Sequence, residues 1–122
     1  MKHAFWLILV LFATAPAMAG NEYSCNMAAF NSADLEQYRA LSETLRASLL
    51  ETKELGNGYA FKLPPDALVS TSQWISYERR CCPFFDFALE LPHDGGPLWL
   101  RVTGERGVKQ FIATEFDFVT HR

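Results

Sequence analysis

The chain has 122 residues, a formal charge of −3, 49% hydrophobic and 14% aromatic residues, a composition that packs into a globule rather than remaining a disordered tail. Its 11 Lys and Arg against 14 Asp and Glu form no basic stripe interleaved with aromatics, which argues against nucleic-acid binding, since that affinity comes from cations neutralising phosphates. Three cysteines are an odd number, so at least one thiol stays unpaired within a monomer.

Residues 1–19 carry the parts of a secretory signal peptide in order: Lys2 and His3, an apolar run from Phe5 to Ala15 broken by Pro16, and Ala17-Met18-Ala19 before Gly20. The run is shorter than the about 20 apolar residues a transmembrane helix needs. Cleavage near Ala19 and a periplasmic or secreted mature protein without a membrane span are therefore expected. Roughly 100 residues remain, the size of one ordinary domain: a flexible arm at 20–31 with Cys25 and Met27, then a single domain over 32–122.

Beyond the arm, Leu35, Tyr38, Leu41, Leu45 and Leu49 recur at three- and four-residue steps, which predicts an amphipathic helix of about 20 residues. Asn31 or Ser32 can cap it, Asp34 and Glu36 suit its positive end, and Gly56-Asn57-Gly58 is the expected stop. Tyr59, Phe61 and Leu63 then alternate with Ala60 and Lys62 as in a half-buried strand. Pro64-Pro65 opens a second helix, from about Asp66 to Cys82, where Pro83 disfavours helical geometry in the residue before it. Phe85, Phe87, Leu89 and Leu91 alternate with Asp86, Ala88 and Glu90. After the His93-Asp94-Gly95-Gly96 turn, Leu98, Leu100 and Val102 alternate with Trp99, Arg101 and Thr103, completing a hairpin. Val108, Phe111, Ile112 and Glu115 suggest a short last helix, and 116–122 has no assignable pattern. The expected fold is α+β, a small mostly antiparallel three-stranded sheet with helices on one face, in the order helix, strand, helix, strand, strand, helix.

On a helical wheel Trp74, Ile75, Cys81 and Cys82 share one arc with Glu78 near its middle, while Arg79 and Arg80 fall outside it on opposite sides. A carboxylate on a buried arc must find a partner or shift its pKa. It could pair with a group such as Arg101 and merely fix the helix, or act as a ligand or proton acceptor beside the thiols. The vicinal Cys81 and Cys82 could pack in the core, form a disulfide with each other or, for one of them, with Cys25, or bind a soft ion such as Cu(I) or Hg(II), which thiolates select. No second cysteine pair or histidine cluster completes a closed zinc site. His93, His121, Asp86 and Glu90 read as solvated surface.

The run Trp74-Ile75-Ser76-Tyr77-Glu78-Arg79-Arg80-Cys81-Cys82-Pro83-Phe84-Phe85-Asp86-Phe87, followed by Leu98 to Gly104, resembles a group of small bacterial proteins marked by E-R-x-C-C-P-F. The likeness spans about Leu35 to Ile112 and implies a shared fold more than a function. The group also resembles neighbours of heavy-metal resistance systems, which adds slightly to the metal reading. The signal peptide and Cys25 depart from the pattern, and if the relatives are cytosolic a disulfide is not their common purpose. The candidate site, drawn from the vicinal pair beside a carboxylate on one helix face, is Cys81 and Cys82 with Cys25 or Glu78 assisting, for a soft metal or metalloid ion. The alternative is a non-enzymatic extracytoplasmic interaction domain whose cysteines are structural. A thiol enzyme with Glu78 as proton acceptor is a third reading that no recognised motif supports.

Overall fold

The computed structural model describes residues 23–116. The expected signal peptide at 1–19, its cleavage site and the end of the chain with His121 lie outside the described residues. None of the described helices is long and apolar enough to cross a membrane.

Helix α1 covers Ser32–Ser48, and its N-cap Asn31 accepts the Asp34 backbone N–H at 2.8 Å. It ends about eight residues before the Gly56-Asn57-Gly58 stop anticipated from sequence. Strand β1, Glu51–Leu55, takes up the remainder and turns through Gly56 and Asn57 into β2, Gly58–Leu63. Glu, Lys and Leu are good helix formers, yet here the unsatisfied edge of β2 decides. Its backbone groups need partners, and residues 51–55 supply them in antiparallel register from Leu55 opposite Gly58 to Glu51 opposite Lys62. A 3-10 turn at Pro65–Ala67 leads into α2, Leu68–Cys81. Strands β3, Asp86–Glu90, and β4, Leu98–Thr103, form the expected hairpin, and α3 covers Val108–Glu115.

The sheet is thus four-stranded rather than three-stranded, fully antiparallel, in the order β1-β2-β4-β3. β2 lies beside β4, with Phe61 opposite Leu100 and Leu63 opposite Leu98. Those four residues and Val102 face the helices and join Leu41 and Leu45 of α1, Trp74 of α2, and Val108, Phe111 and Ile112 of α3 in one core. The other face is charged: Arg101 pairs with Glu90 at 3.2 Å, Lys62 with Glu51 at 3.8 Å, and the Lys53 ammonium lies 4.6 Å from the Trp99 ring centre. The segment expected as a loose arm is tied down from Tyr23 onward. Its Tyr23 hydroxyl donates to the Arg106 carbonyl at 2.9 Å, and the Asn26 N–H donates to the Cys81 carbonyl at 2.7 Å.

Gly58 sits where β2 presses on β4, and a Cβ there would overlap the Val102 carbonyl. The nearest atoms are all β4 backbone, of Val102 and Thr103, so no flexible side chain can give way. Gly58→Ala is expected to destabilise the domain by about 2 kcal/mol, read as a lower urea midpoint; an unchanged midpoint would mean that the two strands separate there at no cost.

Candidate functional site

Thr71, Trp74, Glu78 and Cys81 are the buried residues of α2, spaced by three and four, so the arc inferred from the wheel is the one that meets the core. Glu78 has no exposed surface. Its partner is Tyr38, whose hydroxyl donates to Oε1 at 2.5 Å from the facing helix α1. Arg101, suggested as a partner from sequence, lies on the far face of the sheet with Glu90. Strand parity explains this, since Leu100 and Val102 point inward and Arg101 between them points out. Tyr38 carries the overlooked signal: a hydroxyl within a leucine stripe reaches the core and needs a partner there. The other Glu78 oxygen, Oε2, is buried with no hydrogen-bond partner among the described residues.

Cys81 ends α2, and Cys82 follows in a non-helical conformation (φ −128°, ψ 69°) ahead of Pro83. That break turns Cys82 toward the arm, where it forms a disulfide with Cys25 across a Cα–Cα distance of 4.6 Å. Cys81 remains a buried free thiol, with Sγ 3.3 Å from the Cys82 Sγ. The three sulfurs and one Glu78 carboxylate oxygen all lie within 4.8 Å of one another. All four residues singled out from sequence are therefore in one cluster, although two of the sulfurs are bonded together.

The two arginines divide their work. Arg80 bridges the arm and α1, donating to the Ala29 carbonyl at 3.1 Å and to Asp34 at 2.9 Å, and it lies against the Phe30 and Tyr77 rings. Arg79 borders an open groove with Ile75, Asp86 and Phe87, away from the sulfurs. His93, Asp86 and Glu90 are exposed.

Burial pushes the Glu78 carboxyl up to about 7; the Tyr38 hydrogen bond opposes this and the Glu115 charge adds to it. Burial and then the Glu78 charge push the Cys81 thiol up to about 12, against weaker pulls from a backbone contact and from Arg80. Loss of water thus outweighs the Arg80 charge at this thiol. Burial and the Glu78 charge also raise Tyr38 above the ordinary phenol range, so it stays a neutral donor. Chemically, the cluster is a reservoir of soft sulfur donors and one uncommitted oxygen, with a disulfide that must open before all of them are free.

Compared with protein-family models, curated proteins and solved structures, the chain matches none.

Proposed function

We propose that this is an exported small domain that binds one soft metal or metalloid ion through Cys25, Cys81 and Cys82, with Glu78 as an oxygen donor, when the Cys25–Cys82 bridge is reduced. The observation that carries the reading is the convergence of three sulfurs and a carboxylate oxygen within 4.8 Å, one of the carboxylate oxygens being buried without a hydrogen-bond partner among the described residues. At a metal–sulfur distance of about 2.3 Å, sulfurs on one tetrahedral ion sit roughly 3.8 Å apart, so small side-chain rotations would bring these donors onto one ion. Thiolates favour Cu(I), Hg(II) and similar ions over hard ones. Export by the leader at 1–19 fits a bridge that persists only where the compartment oxidises.

The test is anaerobic titration of the reduced protein with Cu(I) or Hg(II) against a competing chelator. One ion should bind per chain. Changing Cys81 and Cys82 together to Ser should abolish the tight site, Cys25→Ser should weaken it, and Glu78→Gln should weaken it by roughly 10-fold or more. Free thiols take mercury nonspecifically, so the reference is an unrelated two-thiol protein. Affinity no better than that reference would overturn the reading.

A second reading is favoured by the full burial of Cys81 and Cys82 and by the bridge itself: an extracytoplasmic interaction domain in which the cysteines are only packing and staple. It expects no tight uptake in any redox state.

A further inference from the structure

The two residues of the bridge differ in exposure. Cys82 has no exposed surface, whereas Cys25 is half-buried at the rim of the arm. Thiol–disulfide exchange begins with a thiolate attacking one sulfur, and access decides which one. We infer that the Cys25–Cys82 disulfide is an exchange-active bond, opened by an external dithiol that attacks Cys25 and expels Cys82, and that this opening switches on the ion site.

The first thiol of the dithiol bonds to the Cys25 sulfur as the Cys25–Cys82 bond breaks, and the electron pair goes to Cys82. The proton lost by the attacking thiol passes to solvent, and the Cys82 sulfur takes up one in its place. The second thiol then attacks the partner's sulfur in the mixed disulfide, releases Cys25 as a thiol and leaves as an intramolecular disulfide. Two electrons and two protons pass from the dithiol to the protein. Cys82 is released 3.3 Å from Cys81. Cys25 does not drift away, because the arm is also held by the Asn26 N–H on the Cys81 carbonyl, by Arg80 on the Ala29 carbonyl and by Tyr23 on the Arg106 carbonyl. Opening the bond thus frees two thiols beside the Cys81 thiol and leaves all three together. The ion-uptake half of this inference rests on the proposed function; the exchange half stands without it.

The experiment uses the oxidised wild-type protein, since Cys25 variants lose the bridge altogether. Glutathione is applied in native buffer, the reaction is quenched by alkylation, and the peptides are mapped by mass. Glutathione should be found on Cys25, with Cys82 alkylated. Dithiothreitol applied in native buffer should then raise the thiol count, read by alkylation after unfolding, from one to three with the native circular dichroism spectrum unchanged, and Hg(II) uptake measured against a chelator should rise from background to one ion per chain. Glutathione mapped to Cys82, a bridge that dithiothreitol reduces only in urea, or Hg(II) uptake above background that is equal for oxidised and reduced protein would each overturn the inference. Exchange at Cys25 followed by no uptake would support the exchange-active bond and overturn the ion-binding reading instead.

Discussion

Replacing Cys25 by Ser is expected to cost the domain about 4 kcal/mol, the largest effect of any single side chain in the site. The bridge joins residues 57 positions apart, and on the chain-entropy account a crosslink stabilises chiefly by forbidding the extended forms of an unfolded loop of that length. The packing at the arm is a smaller part of the effect, since Tyr23, Asn26 and Ala29 keep their own hydrogen bonds. Urea denaturation of oxidised wild type, reduced wild type and Cys25→Ser checks this. The last two should agree within about 1 kcal/mol and both fall well below the first, while remaining folded if the domain has the 5–15 kcal/mol usual for its size. A bridge that changed the midpoint by less than about 1 kcal/mol would mean that the unfolded chain already holds the two ends close.

The second large effect concerns pH. Glu78 titrates at about 7 in the folded chain against an ordinary 4.5, so the folded state keeps this proton to a higher pH than the unfolded state does. Below about 4.5 both states are protonated and burial of the neutral acid carries no ionisation penalty. Between 4.5 and 7 the unfolded state loses its proton first, and stability falls as pH rises; above about 7 the full penalty is present, on the order of 3 kcal/mol. The groups that face this carboxyl are the Tyr38 hydroxyl from α1, Cys81 on its own helix and the Glu115 charge from α3. Glu78→Gln should therefore match wild type near pH 4.5, exceed it at pH 8 and flatten the profile between. Tyr38→Phe removes the bond that holds the value down and should move the wild-type transition to higher pH. Thermal melts across pH 4.5 to 8 decide it: parallel profiles for wild type and Glu78→Gln would show that Glu78 reaches water in solution.

Much of the site could be derived before any coordinates, because a 3.6-residue period fixes which α2 residues share a face, and Glu78 and Cys81 follow directly. The β3–β4 hairpin was equally legible, from alternation interrupted by His93 to Gly96. β1 was not, since residues 51–55 suit a helix as well as a strand and only the distant edge of β2 chooses between them. The cysteine pairing was also hidden: any one of the three could have been left over, and the outcome depends on Cys82 leaving the helix before Pro83 while Asn26 holds the arm to the Cys81 carbonyl. Tyr38 lies 40 residues from Glu78, beyond any local pattern, although its place in the leucine stripe was a clue. Arg101 could have been excluded as a partner by the same alternation that identified its strand.

The described residues place two tryptophans on opposite sides of the sheet. Trp74 is in the core with its indole N–H donating to Ser42, 3.1 Å away and itself bonded to the Tyr38 carbonyl. Trp99 is on the outer face with two lysine ammonium groups over its ring. The domain thus carries two optical reporters that solutes can tell apart. Iodide, drawn in by the lysines, should quench Trp99 first, and a shift in the emission that iodide leaves behind would register rearrangement around Tyr38 and Glu78 without any added label.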